Sequence, residues 1–265
     1  MRLNLEGKNV LITGAASGIG RTAAVLFGEE GSNLAIVDMA GDGLRDLARE
    51  LGPRVVSTGT GDLSTTGGVE QAIGQALAPL DGRVDVLVNN AGSGVSRTFD
   101  EISDRDWIAS LDINLLACIR VTRVVLPLMR AAGSGVIVNN ASDLGRQPEA
   151  NPMDYAVAKA GMLAFTKAMA RSEGPAIRVN AVAPGPVWTP FWTKEGGFAD
   201  SLAALHQMPP EDAVRHEISL RQMPLGRLGT AEEVASVIVF LASERASFVT
   251  GSVYGVDGGT IRSVS

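Results

Sequence analysis

The glycine-rich turn Thr13-Gly14-Ala15-Ala16-Ser17-Gly18-Ile19-Gly20 constrains this chain more than any other feature, because of what flanks it. The apolar run Asn9–Thr13 precedes it, a segment of helical period follows over residues 19–30, and a second β-rich run, Asn33–Asp38, comes next. Strand, turn, helix and strand in that order make a βαβ unit. Gly14, Gly18 and Gly20 allow a tight bend there and let the backbone, with Ser17 and Ile19, approach a pyrophosphate at the helix N-terminus. Glycine-rich turns also join strands to helices where nothing binds, so the spacing needs support. Asp38 supplies it, since a carboxylate ending the second strand can accept hydrogen bonds from an adenosine ribose diol. The other role open to Asp38 is to cap the following turn. A 2′-phosphate beside it would meet like charge, and neither Ser17 nor Met39 offers a neutralising cation, so the sequence favours NAD(H) over NADP(H).

The alternation continues along the chain. β-rich runs at residues 54–57, 84–89, 135–139, 177–182 and 253–257 interleave with helical segments at 66–78, 104–130, 152–173 and 231–242. Several runs are apolar at consecutive positions, as strands covered on both faces of a parallel sheet must be. The expected fold is a single doubly wound α/β domain over residues 1–265, with helices on both faces of the sheet. Residues 184–229 are too long for an ordinary connection. Their apolar content, including Trp188, Phe191, Trp192 and Phe198, argues against disorder and suggests a substrate-binding lid that excludes water; packing against the domain or another subunit is the plainer alternative.

Composition removes several function classes. Hydrophobic residues are 45% and charged residues 20% of the chain, outside the disordered range. The formal charge of -6, without a Lys/Arg cluster, gives no attraction to phosphate backbones or anionic lipid, so neither nucleic acid nor membrane is an expected partner. The single cysteine, Cys118, lies in an apolar run and reads as a core residue. Residues 2–8 lack the apolar region of a signal peptide and no later stretch is long enough to span a bilayer, which points to a cytoplasmic protein. His206 and His216 are too sparse to suggest a metal site, and none is expected.

Chemistry concentrates in the second half. Asn151 and Pro152 read as the N-cap and first residue of a helix on which Tyr155 and Lys159, four residues apart, share a face. Side chains lean toward the helix N-terminus, so the Lys159 ammonium can approach the Tyr155 ring. A tyrosine of ordinary pKa, about 10, needs roughly 4 kcal/mol of anion stabilisation to serve as a base near neutrality, and one ammonium at ~4 Å supplies that order at an effective dielectric of 20. The same spacing describes a tyrosine packed on a lysine stem. Ser142 changes the balance, because it follows the run at 135–139 and so stands at the carboxyl edge of the sheet, where ligands of such folds bind. Asn114, polar within an apolar helical stretch, is either a further member of the site or a satisfied buried amide.

Taken together these residues resemble the short-chain dehydrogenase/reductase family over essentially the whole chain. The resemblance rests on TGAASGIG at residues 13–20, Asp62-Leu63, Asn89-Asn90-Ala91-Gly92, Ser142, Tyr155-x-x-x-Lys159 and Pro184-Gly185-Pro186-Val187-Trp188-Thr189. It implies that Asp62 and Leu63 hold an adenine and that Asn89, Ala91 and Gly92 lie along the cofactor. It further implies that Lys159 also binds the nicotinamide ribose beside Tyr155, that Asn114 holds a water of a proton relay, and that Val187 and Thr189 contact the carboxamide end. Similar members are homotetramers, with long helices and the C-terminal strand at subunit contacts. Asp143, after Ser142, is unusual where a small or uncharged residue is commoner; its carboxylate either faces the substrate or caps the loop.

The expected activity is hydride transfer between NAD(H) and a secondary alcohol or ketone, Tyr155 exchanging the proton and Ser142 donating to the reacting oxygen. The alternatives are an NAD-dependent epimerase or dehydratase, disfavoured by the glycine spacing and short C-terminal portion, and a cofactor-sensing protein without turnover, disfavoured because Tyr155 and Lys159 are both present. Enoyl reductases resemble a pattern with a longer tyrosine-to-lysine gap.

Overall fold

Apolar strands need cover on both faces, and the computed structural model, which describes residues 2–195 and 197–263, provides it. Seven strands, β1 (Asn9–Thr13), β2 (Asn33–Asp38), β3 (Val55–Thr60), β4 (Val86–Asn89), β5 (Gly135–Asn140), β6 (Ile177–Pro184) and β7 (Val253–Val256), form one sheet in the order β3-β2-β1-β4-β5-β6-β7. Every neighbouring pair is parallel. The chain runs outward from β1 to β3, then returns to lay β4 on the other side of β1. That reversal opens a crevice at the carboxyl ends of β1 and β4, the position where folds of this kind bind ligands.

The helices are α1 (Gly18–Glu29), α2 (Gly41–Leu51), α3 (Thr66–Leu77), α4 (Asp104–Leu111), α5 (Ala117–Ala132), α6 (Met153–Glu173), α7 (Pro190–Thr193), α8 (Phe198–His206), α9 (Pro210–Arg221) and α10 (Ala231–Ala242). Alternate strand residues serve two cores. Val10, Ile12, Leu34, Ile36, Val86 and Val88 pack with Phe27 of α1, Leu44 and Leu47 of α2, and Val234 and Ile238 of α10. Leu11, Ala35, Val37, Leu87 and Ile137 pack on the opposite face with Ile73 of α3, Val121, Val125 and Met129 of α5, and Ala170 of α6. Cys118 is buried at the margin of this architecture with Ala141, Met162 and Ala181.

Three features depart from the pattern read in the sequence. Helix α2 was not anticipated; its apolar face is narrow, with Leu44 and Leu47 its buried residues. The helix expected over 104–130 is two helices joined by a π turn at Asp112–Leu116. Asn114 lies within that turn, and its Nδ2 donates to the carbonyl of Ser110 four residues back, at 3.1 Å, a side-chain bond that competes with the regular ladder. Helix α6 begins at Met153 with Pro152 as its N-cap, so Asn151 does not cap it. The described residues of the segment 184–229 include α7, α8 and α9, with Ala199, Leu202, Ala213 and Val214 forming a small core of their own. Among the described residues no helix is long and apolar enough to cross a membrane.

Candidate active site

A cavity of about 510 Å³ occupies the crevice. At one end stands the glycine turn. Gly14 and Gly18 adopt φ of +67° and +54°, a region L side chains enter at a cost. A Cβ on Gly20 would sit 2.1 Å from the Gly14 carbonyl oxygen, so the third glycine lets α1 close against the turn. Ser17 is the N-cap of α1 but makes no side-chain capping bond, leaving the first N–H groups of the helix open to the cavity.

Asp38 borders this end with its orientation fixed. One carboxylate oxygen accepts from Ala16 N and the other from Ala40 N, each at 3.0 Å, and each keeps a lone pair for a further donor. It therefore caps the turn, one of the two roles left open by the sequence, and at the same time lines the cavity. Asp62 and Leu63 line the same region; an Asp62 oxygen accepts from Ser64 N at 2.9 Å, and Leu63 is buried. The glycine cradle, the open helix end and the Asp38 carboxylate fit a nicotinamide dinucleotide.

Asn89, the last residue of β4, and Asn90 just after it divide their work. Asn89 is buried and does not line the cavity; its Nδ2 donates to Thr122 Oγ1 at 3.1 Å and to Asn139 Oδ1 at 2.9 Å, tying β4 to β5 and α5. Asn90 does line it, and its Nδ2 donates to the carbonyls of Thr13 and Gly14, both at 3.0 Å. Asn140 Nδ2 donates in turn to Asn90 Oδ1 at 2.8 Å. Asn90 stands in the sequence motif without an assigned role and Asn140 outside it; strand alternation, which sends neighbouring side chains to opposite sides, is the signal available for the first. Ala91 and Gly92 follow in the wall.

The other end carries the titratable groups. Tyr155 and Lys159 of α6 both face the cavity, with Lys159 Nζ 5.5 Å from the centre of the Tyr155 ring. Lys159 is buried, and Nζ donates to the Asn140 carbonyl at 2.8 Å. Burial pushes its pKa down to about 8. Burial also pushes the Tyr155 phenol above its ordinary value; hydrogen bonding with Ser142 opposes the rise and the Asp143 charge adds to it. The lowering expected from the lysine alone is thus not what the protein imposes.

Ser142 Oγ donates to Asp143 Oδ1 at 3.0 Å and accepts from Leu144 N at 3.2 Å. Asp143 Oδ1 also accepts from Leu144 N, at 2.8 Å, while Oδ2 is buried without a partner. Asp143 thus caps the turn at 143–145 and lines the cavity at once. Burial raises its carboxyl to about 6, against the Ser142 hydrogen bond and the Arg221 charge. Asn114 is fully buried behind Gly92, outside the cavity lining. Its amide donates to Ser93 O at 2.8 Å and accepts from Ser93 N at 3.0 Å, and a Cβ on Gly92 would lie 2.9 Å from its Oδ1.

The 184–229 segment closes the remaining side. Val187 and Thr189 line the cavity, Thr189 against Gly18. Phe191, Trp192 and Phe198 stack into a wall, with ring centres 5.2 Å apart for Phe191 and Phe198 and 6.0 Å for Phe191 and Tyr155. Trp188, expected with them, is 43% exposed and lies outside the lining. Arg221 of α9 reaches the cavity, a contribution that no motif announced. Among the described residues no cluster of three or more His, Cys, Asp or Glu is placed to hold a metal ion.

A doubly wound sheet with a dinucleotide crevice and a tyrosine–lysine pair at its carboxyl edge defines an oxidoreductase that works with a nicotinamide cofactor. A family model described as "Enoyl-(Acyl carrier protein) reductase" matches residues 14–260. The 3-oxoacyl-[acyl-carrier-protein] reductase FabG of Thermotoga maritima is 38% identical over 262 residues, covering 98% of this chain and all of that one. The solved structure of L-sorbose reductase from Gluconobacter frateurii, complexed with NADPH and L-sorbose, superposes with a TM-score of 0.88 at 34% identity over the full length of both chains. Levodione reductase gives a TM-score of 0.86 at 33% identity, covering 96% of this chain and 97% of that one. The chain belongs to the short-chain dehydrogenase/reductase family.

Proposed function

We propose that this protein interconverts a secondary alcohol and a ketone with NAD(H), Tyr155 acting as general acid and base. The observation that carries the reading is the convergence of Tyr155, Lys159 and Ser142 on the same cavity as the glycine turn and Asp38. A bound nicotinamide would supply or accept the hydride. Tyr155 exchanges a proton with the substrate oxygen. Lys159, anchored on the Asn140 carbonyl, sets a positive charge near the phenol. Phe191, Trp192 and Phe198 exclude water and favour a substrate with an apolar portion.

The preference for NAD(H) is supported by the Asp38 carboxylate, which would repel a 2′-phosphate. Arg45, which lies beside Gly41 just beyond Asp38, is already paired with Asp42. L-sorbose reductase, solved in complex with NADPH, is a relative that takes the phosphorylated cofactor. A homotetramer is supported by family resemblance and by the exposed apolar side chains Ile108, Leu116 and Val157 on the α4–α6 surface. A cytoplasmic location agrees with a lone buried cysteine that needs no oxidising compartment.

The test is to offer NAD with secondary alcohols, and NADH with ketones and an enoyl thioester, while following the absorbance of the reduced nicotinamide. Turnover of alcohol and ketone that disappears in Tyr155→Phe, with NADH binding retained, is expected. Undiminished turnover in that variant, or reduction of the enoyl thioester alone, would refute the reading.

A further inference from the structure

A buried carboxylate oxygen needs a donor, and at Asp143 one oxygen has donors and the other has none. Oδ1 accepts from Ser142 Oγ at 3.0 Å and from Leu144 N at 2.8 Å, which fixes the orientation of the group. Oδ2 is buried without a partner, on a residue that is 3% exposed and lines the cavity. Leaving a charged acceptor unpaired inside a protein is costly, so such an atom marks a place that a bound molecule completes. We propose that Asp143 Oδ2 accepts a hydrogen bond from a second hydroxyl of the substrate, so that the site takes an α-hydroxy ketone and the vicinal diol it becomes. This rests on the reaction given to Tyr155 above.

The protein does not supply the donor itself. Arg221, the cation whose charge reaches Asp143, is held by Glu149 at 2.8 Å and by Glu217 at 3.2 Å. Of the other buried side-chain oxygens without a partner among the described residues, those of Asn89 and Asp154 belong to residues outside the cavity lining, and that of Thr260 borders a separate cleft. That of Asn140 belongs to an amide tied to Asn90, and through it to the glycine turn, on the dinucleotide side. Asp143 is instead in contact with Ser142, at the end of the cavity that holds Tyr155.

Charge and spacing narrow the class of substrate. An ionised carboxylate only accepts, so the partner must bring an O–H or N–H. Lys159, Lys194 and Arg221 line the same cavity, so an ammonium donor would meet like charge, and a substrate carboxylate in contact with Asp143 would do the same. A neutral hydroxyl remains. Ser142 Oγ and the Asp143 carboxylate touch at 3.0 Å, so two substrate oxygens that meet them belong to neighbouring carbons. The second hydroxyl takes no part in the transfer of hydride and proton; it selects which carbon stands at Tyr155. Phe191, Trp192 and Phe198 give the substituent beyond the diol an apolar wall.

The probes are phenacyl alcohol, its methyl ether and acetophenone, which present a donor, an acceptor and neither beside the same ketone. With NADH, kcat/KM for phenacyl alcohol is expected to exceed that for acetophenone by about tenfold to a hundredfold, with the ether no better than acetophenone. Calorimetric affinities, which need no turnover, should follow the same order. In Asp143→Asn, checked for native circular dichroism, the amide oxygen must take the Leu144 N–H and Ser142 O–H, which puts the amide nitrogen where Oδ2 stood. A donor then replaces an acceptor, and the methyl ether should become the best of the three, an inversion that loss of packing would not produce. Wild type binding and turning over phenacyl alcohol and acetophenone alike, as a water held at Oδ2 would allow, would overturn the proposal, and this comparison stands if the variant does not fold. An unchanged order in folded Asp143→Asn would overturn it too. Tighter binding of phenacyl alcohol without turnover of any probe would instead sink the reading of the reaction and support the hydroxyl contact.

Discussion

Lys159 Nζ donates to the main-chain carbonyl of Asn140 at 2.8 Å, which joins α6 to the end of β5. The ammonium is thereby held in place by the sheet rather than by the tyrosine it serves. Its stem and head are buried, and it lies over the Tyr155 ring without a hydrogen bond to the phenol. The pair is thus an electrostatic one, positioned by backbone geometry.

Removing that ammonium should damage both catalysis and its pH dependence. Lys159→Met is expected to lower kcat/KM about a hundredfold or more. It should also change the stability profile. The folded-state pKa, about 8, lies below the ordinary lysine value of 10.5, so the unfolded chain binds more protons between the two. Stability contributed by this residue is present above about pH 10.5 and is lost as pH falls through 8. Denaturant titrations of wild type and Lys159→Met at several pH values should show a difference in unfolding free energy that is constant below about pH 8 and shifts in favour of wild type between about pH 8 and 10.5. A constant difference would contradict the assignment.

Asp38 offers a test of cofactor choice. Both carboxylate oxygens are oriented by backbone amides, so the charge stays at the mouth of the cavity whatever binds. Wild type should use NAD(H) at least about tenfold more efficiently than NADP(H), and Asp38→Ser combined with Met39→Arg should reverse the order. Equal kcat/KM for both cofactors in wild type would remove Asp38 as the discriminator.

Much of this was legible in the sequence because periodicity and turn chemistry are local. The strands Asn9–Thr13 and Asn33–Asp38 and the helix Ala231–Ala242 have the expected bounds, since apolar runs with clear terminators leave little choice. Helix α2 escaped because its buried residues are two, Leu44 and Leu47, in a segment that opens with Gly41 and Gly43 and is otherwise largely charged. The π turn escaped because its cause is a side-chain bond from Asn114 to Ser110, which competes with the backbone invisibly to periodicity. At the site, Tyr155, Lys159 and Ser142 were found by their motifs. The direction of the Ser142 hydrogen bond depends on the Asp143 rotamer, and Arg221 arrives from a helix more than sixty positions beyond Tyr155. Neither is encoded in spacing.

The glycines of the chain divide by what a methyl group would meet. Gly20→Ala would drive Cβ to 2.1 Å from the Gly14 carbonyl oxygen and 2.4 Å from Asn90 Nδ2, both fixed atoms. It should cost about 3 kcal/mol or prevent folding. Gly74 in α3 is exposed with nothing within 4 Å, and Gly74→Ala should stabilise by about 0.5–1 kcal/mol through helix propensity. Chemical denaturation of the two variants reads both effects; equal stability of Gly20→Ala and wild type would mean that α1 does not press on the turn.

The two asparagines at the end of β4 give the sharpest separation of structure from function. Asn89 spends its donors on Thr122 and Asn139, inside the protein. Asn89→Ala should therefore destabilise the fold, by about 1–3 kcal/mol for the buried partners left unpaired, while the folded fraction keeps its affinity for NADH. Asn90 instead holds the carbonyls of Thr13 and Gly14, and so holds the shape of the glycine cradle. Asn90→Ala should weaken NADH binding about tenfold, as followed by the fluorescence of the reduced nicotinamide. An equal loss of affinity in both variants would return Asn89 to the cofactor role that the family resemblance implies, and would mean that the β4–β5 bridge, rather than the Asn90 contacts alone, sets the cradle.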